Sequence, residues 1–141
     1  MESVPQPEKP RRTVEDLLAE ARSKLPKRLS PEEAFAEMVQ GAKLIDIRRL
    51  EQRMEDGAIP GAILVHRNEF EWRCDPASPW RDDRITPDDY TQRLVIICNQ
   101  GFQSSLAAAI LQDYGLENVT DVDGGYEAWK AANLPWAPYK D

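Results

Sequence analysis

The sequence has few of the residues that build metal sites and disulfide frameworks: 141 residues include one histidine, His66, and two cysteines, Cys74 and Cys98. Two cysteines close at most one bridge, and their flanks differ, so a disulfide framework is not expected. One histidine with those two thiols has no spacing typical of a zinc site; no metal is expected, and no other cofactor is called for. Basic residues are in deficit, with 18 Lys and Arg against 25 Asp and Glu for a formal charge of −7. That balance argues against a nucleic-acid partner, because phosphate binding needs clustered cations. Long apolar runs are also missing. Ala58–Val65 and Leu94–Cys98 fall far short of the roughly 20 residues of a membrane-spanning helix, and no apolar signal segment follows Met1. The expectation is a cytoplasmic protein with no membrane partner.

What is present is the composition of an ordinary globular protein, 41% hydrophobic and 30% charged, at a length that suits one domain. Residues 1–12 are rich in Pro, Glu, Lys and Arg without apolar periodicity, and are expected to be a disordered tail. Val14, Leu17, Leu18, Ala21 and Leu25 share one helical face, with Thr13 as N-cap and Asp16 three residues on. They predict a helix appended over residues 13–27 and ended by Pro26. Ser30, Pro31 and Glu33 combine an N-cap, a first-turn proline and a capping box, so a second helix starts there and stops at Gly41. Apolar runs predict strands at Lys43–Ile47, Ala62–Val65, Leu94–Ile97 and Val119–Asp121, with helical stretches between most of them. That alternation points to an open, mostly parallel α/β sheet. Between the second and third strands, Arg67–Gln92 reads as a short helix at Asn68–Arg73 and a long ordered loop, either shaping a site or anchored by Trp72 and Trp80 as a connector.

The chemistry is carried by one segment. Leu94–Ile97 is an apolar strand, Cys98 opens a short loop with Gly101 in its middle, and an alanine-rich helix follows Ser104. Ligands of open α/β sheets bind beyond the carboxyl ends of the strands, where Cys98 lies, and the next helix directs its unpaired N–H groups there. Such a field favours a thiolate or a persulfide anion. Gly101 suits a turn in which backbone N–H groups converge.

The loop Cys98-Asn99-Gln100-Gly101-Phe102-Gln103-Ser104 resembles the Cys-x-x-Gly-x-Arg-Ser active loop of rhodaneses. Leu44-Ile45-Asp46-Ile47-Arg48 resembles the family's Asp-x-Arg strand, Gly57-Ala58-Ile59-Pro60-Gly61-Ala62 its Gly-His-Ile-Pro-Gly-Ala turn, and Gly124-Gly125-Tyr126-Glu127-Ala128-Trp129 its Gly-Gly-x-x-x-Trp terminus. The resemblance implies a doubly wound domain around a five-stranded sheet over residues 28–136, with residues 137–141 as a C-terminal tail. It also implies sulfur transfer by a ping-pong route: Cys98 takes sulfane sulfur from a donor such as thiosulfate and passes it to a thiophilic acceptor, a small molecule or a protein thiol. Asn99, Gln100, Gly101, Phe102, Gln103 and Ser104 would bind the persulfide mainly through backbone. Gln103 stands where the family has arginine, which removes a fixed cation and predicts weak binding of anionic thiosulfate.

Asp46 and Arg48, at a strand's carboxyl end, are placed near the loop, either as a buried ion pair that supports it or as direct contacts to substrate. His66 and Trp72 are candidates for the pocket rim. Arg53 is expected to face solvent, Cys74 to be an exposed bystander among charges, and Gly124-Gly125 to serve packing. A weakly active module that binds a protein partner through the Val14–Leu25 helix is the competing reading, disfavoured by Cys98. A phosphatase of the same fold family needs arginine where Ser104 stands.

Overall fold

The computed structural model describes Val4 and residues 11–140; of the tail expected to be disordered, all but Val4, Arg11 and Arg12 lies outside the described residues. Element order is α1 (Val14–Lys24), α2 (Pro31–Val39), β1 (Lys43–Asp46), α3 (Leu50–Asp56), β2 (Ile63–Leu64), a 3-10 turn (Arg67–Glu69), α4 (Phe70–Arg73), β3 (Leu94–Ile97), α5 (Gln103–Asp113), β4 (Val119–Asp121) and α6 (Gly125–Ala131). Both N-caps read from sequence form reciprocal capping boxes, Thr13 with Asp16 and Ser30 with Glu33.

The sheet has four strands in the order β2-β1-β3-β4, all parallel. This corrects the expected five. The fifth position is taken by Leu29 alone, which bridges Val122 beyond β4. Its N–H donates to the Asp121 carbonyl at 3.0 Å and its carbonyl accepts from Asp123 N–H at 2.8 Å. The ladder cannot lengthen: Ser30 is already the cap of α2, and Pro31 has no N–H to offer.

A parallel sheet covered on both faces needs apolar residues on both sides of each strand, and β3 shows this. Leu94 and Ile96 enter one core with Ile45, Phe70, Ala107, Ala108 and Leu111. Val95 and Ile97 enter the other with Leu44, Ala34, Tyr126 and Trp129. The run Leu94–Ile97 therefore lacks alternation because no face of it meets water. On the first side α1 packs against α5, burying Leu18 and Ala21.

The long segment after β2 is held by Phe70, Cys74 and Ile85, all fully buried. Trp72 and Trp80 are not its anchors; they are 57% and 67% exposed. Cys74 is likewise not an exposed bystander. It follows Phe70 by one helical turn, its N–H bonding the Phe70 carbonyl at 3.0 Å, so both face inward despite the charges beside them. Burial, with help from Asp82 and Glu71, pushes the Cys74 thiol far above its ordinary range.

Candidate active site

The loop Cys98–Phe102 leaves the carboxyl end of the central strand β3 and leads into α5. The Cys98 sulfur accepts hydrogen bonds from the Gly101 N–H at 3.2 Å and the Ser104 N–H at 3.3 Å. Gly101 has φ +88°, and a Cβ there would sit 2.8 Å from the Gly124 nitrogen, so the turn that aims its N–H at sulfur requires glycine. Beneath the loop, α6 does the same work for the carbonyls: Tyr126 N–H donates to Cys98 O at 2.8 Å and Glu127 N–H to Asn99 O at 3.0 Å. A Cβ on Gly125 would lie 2.6 Å from Cys98 O, so the Gly124-Gly125 pair lets α6 reach the loop backbone.

A second layer holds the loop from the other side. Arg22 Nη2 and Arg28 Nη2 both donate to the Gly101 carbonyl, at 2.9 and 3.0 Å. Arg28 Nε also bonds Asp121 Oδ1 at 2.7 Å, while the Ser104 and Ser105 hydroxyls donate to Asp121 Oδ2 at 2.8 and 2.7 Å. Asp121, Ser104 and Ser105 are buried. Ser104 thus offers the sulfur its backbone only; its hydroxyl belongs to the scaffold. Helix α1, read from sequence as an appendage, reaches the cysteine loop through Arg22. Arg28→Met leaves Asp121 without its cation, and since the pair is not wholly dry the expected loss of stability is about 2 kcal/mol. Urea denaturation checks this, and alkylation of Cys98 by a small electrophile at neutral pH should slow as the Gly101 N–H drifts from sulfur.

Asp46 and Arg48 form a fully buried ion pair at the end of β1, with Arg48 Nη2 2.9 Å from Asp46 Oδ2. Asp46 Oδ1 also accepts the Arg48 backbone N–H at 2.9 Å, and Arg48 Nη2 donates to the Gly57 carbonyl at 2.9 Å. The guanidinium lies over Tyr126, 3.7 Å from the ring centroid. Arg53 does not face solvent: it is buried, and its Nη1 donates to the Arg48 carbonyl. One turn of helix places it beneath the strand end rather than outside it.

These elements line an open cavity of about 310 Å³ whose wall includes Cys98, Asn99, Gln100, Phe102 and Gln103 together with Arg48, Arg49 and Arg67. Arg67 Nε approaches Gln103 Oε1 at 3.4 Å. His66 and Trp72 are not brought to this cavity. The chain turns into a 3-10 segment directly after His66, leaving that ring exposed, and Trp72 lies on the outer face of α4 opposite Phe70 and Cys74. Trp72 instead borders a separate depression with Trp80 and Arg73. Among the described residues no group of three or more His, Cys, Asp or Glu side chains could hold a metal, and no helix is long and apolar enough to cross a membrane.

Arg22, Arg28, Asp121 and Arg67 escaped the sequence reading. Asp121 carried a signal, a carboxylate ending an apolar strand as Asp46 does, and so in need of a buried partner. Arg67 carried one too, since the carboxyl-edge argument that selected His66 applies equally to the next residue. Arg22 and Arg28 carried none, standing 79 and 73 residues from the carbonyl they hold.

Similarity to known proteins agrees with this geometry. The model of the rhodanese-like domain family matches residues 30–132. Thiosulfate sulfurtransferase GlpE of Pseudomonas savastanoi pv. phaseolicola is 34% identical over 105 residues, which cover 74% of this chain and 88% of that protein. A protein of unknown function from Rhodopseudomonas palustris, named a possible tyrosine phosphatase, is 32% identical and superposes with TM-score 0.79 over 94% of this chain and all of that one. The polysulfide-sulfur transferase homodimer of Wolinella succinogenes shares the fold at 21% identity, TM-score 0.67, covering 85% of this chain and 83% of that one. The family match, the four-stranded parallel sheet and the cysteine loop at its carboxyl edge together place this chain in the rhodanese-like family.

Proposed function

We propose that this protein is a sulfurtransferase that carries sulfane sulfur on Cys98 as a persulfide. The observation that supports this most directly is the pair of N–H groups, from Gly101 and Ser104, directed at the Cys98 sulfur. Hydrogen bonds to the charged form of an acid favour that form, so the cradle suits a thiolate before transfer and a persulfide anion after it. The relatives named thiosulfate sulfurtransferase support a donor of that chemistry.

In the first half-reaction the Cys98 thiolate attacks the outer sulfur of thiosulfate. A sulfur–sulfur bond forms to the protein as the one inside the donor breaks, and sulfite leaves with the electron pair. In the second, a thiophile attacks the terminal persulfide sulfur and the Cys98 thiolate returns. No net oxidation occurs, and no general base is needed once the thiol proton has gone to solvent. The acting unit is residues 28–136, with α1 braced against its loop. Intact mass spectrometry after separate incubation with thiosulfate, mercaptopyruvate and glutathione persulfide tests the reading. A gain of one sulfur atom on Cys98, lost again on addition of a thiophile, is expected; no gain from any donor would overturn it.

The name of the Rhodopseudomonas palustris relative raises phosphate-ester hydrolysis as a second reading. Phosphoryl transfer needs fixed positive charge on the equatorial oxygens. Here the loop from Cys98 to Ser104, which would have to surround those oxygens, holds no cation, the arginines of the cavity stand outside it, and Ser104 is turned inward onto Asp121. Hydrolysis of an aryl phosphate is therefore expected to be no faster than that of Cys98→Ser. Turnover that depends on Cys98 would restore the phosphatase reading.

A further inference from the structure

We propose that Arg67, reaching in from outside the loop, supplies the cation that recruits an anionic sulfur donor, replacing the loop arginine whose place Gln103 occupies. The inference rests on the Cys98 sulfurtransferase reading and adds to it the residue that attracts the dianionic donor. The protein as a whole is acidic, with 25 carboxylates against 18 Lys and Arg, yet the cavity at Cys98 is lined by Arg48, Arg49 and Arg67 and by no Asp or Glu. A cavity of one sign inside a chain of the other concentrates the counter-ion it matches.

The three arginines are not equivalent. Arg48 is paired with Asp46 and fully buried, although its Nη1 has no hydrogen-bond partner among the described residues. Arg49 stands at the start of α3, exposed. Arg67 is intermediate, its side chain 27% exposed, and its Nε meets Gln103 Oε1 at 3.4 Å. The neutral amide at position 103 thus accepts from a guanidinium in the cavity wall, where an arginine at 103 would repel it. Arg67 is also bonded through Nη1 to Glu71 at 3.0 Å, a partly exposed pair that holds the side chain while Nη2 has no hydrogen bond to any of the described residues. With this arrangement the cation missing at position 103 is supplied by a neighbouring residue outside the loop, so thiosulfate binding stronger than the sequence alone suggests is expected.

The test compares two donors that deliver sulfur by the same bond cleavage but differ in charge: thiosulfate, a dianion, and methanethiosulfonate, a monoanion that releases sulfinate. Removing one partly solvated cation should raise the thiosulfate KM of Arg67→Gln roughly three- to tenfold with kcat nearly unchanged, and affect methanethiosulfonate less. The salt dependence of the thiosulfate KM should flatten in the same variant, because a Coulombic attraction has been lost. Arg67→Lys should restore part of the loss, and so should Gln103→Arg built on Arg67→Gln. Glu71→Gln, which frees the same guanidinium, should lower the KM. Calorimetric binding of thiosulfate to Cys98→Ser and to Cys98→Ser/Arg67→Gln separates this inference from the reading beneath it. If wild type takes up no sulfur yet Cys98→Ser binds thiosulfate in an Arg67-dependent way, the anion site stands and the transfer reading falls. If wild type is loaded but Arg67→Gln changes neither KM, salt dependence nor binding, the anion site is overturned.

Discussion

Cys98→Ser is expected to abolish sulfur loading, while replacement of Cys74 leaves it intact. The two thiols occupy opposite environments. Cys98 is nearly buried but opens on the cavity, with two N–H groups on its sulfur. Cys74 has no exposed surface, sits in the apolar core and is held as a neutral thiol by burial and by the charges of Asp82 and Glu71. A serine at position 74 would bury an unpaired hydroxyl, so alanine is the cleaner control; it should cost on the order of 1 kcal/mol of stability without touching the chemistry. Mass spectrometry of both variants after thiosulfate treatment reads the outcome. A persulfide on Cys98→Ser, or its loss in a folded Cys74→Ala, would sink the assignment.

The largest stability effect is expected at Asp46. Asp46→Ala leaves the Arg48 guanidinium buried with the Gly57 carbonyl and the Tyr126 ring but no counter-charge. Breaking one side of such a pair costs about 3–5 kcal/mol, a large share of the roughly 5–15 kcal/mol that holds a domain of this size. Chemical denaturation should show it as a lower midpoint at similar slope. The double variant Asp46→Ala/Arg48→Met should recover much of the loss, because the unpaired charge and not the missing contact is what destabilises. A loss under about 1 kcal/mol in Asp46→Ala would mean that water reaches Arg48 and the pair does not brace the loop.

The alternation of apolar strands and capped helices was legible in the sequence because its causes are local. Ser30-Pro31 with Glu33 forms a capping box wherever it lies, and Leu94–Ile97 is too apolar to be anything but interior. Strand number was not legible. Whether Leu29 starts a strand or makes one bridge depends on where Pro31 falls relative to Val122, nearly a hundred residues away. Burial at Cys74, Arg53 and Trp72 was not legible, because side-chain direction on a helix decides which residue of a segment faces the core.

By itself the sequence determined the α/β fold class and marked the cysteine loop at a strand's carboxyl end, since Cys98, Gly101 and the helix after them are contiguous. Only the tertiary structure decided what surrounds that loop. Arg22 and Arg28 converge on the Gly101 carbonyl from α1 and its exit, Asp121 of β4 gathers Ser104 and Ser105, and Arg67 meets Gln103 at the cavity wall. Electrostatic fields and hydrogen bonds depend on distance in space, and folding brings residues tens of positions apart to within 3.5 Å by burying apolar surface that has no bearing on which charges will meet.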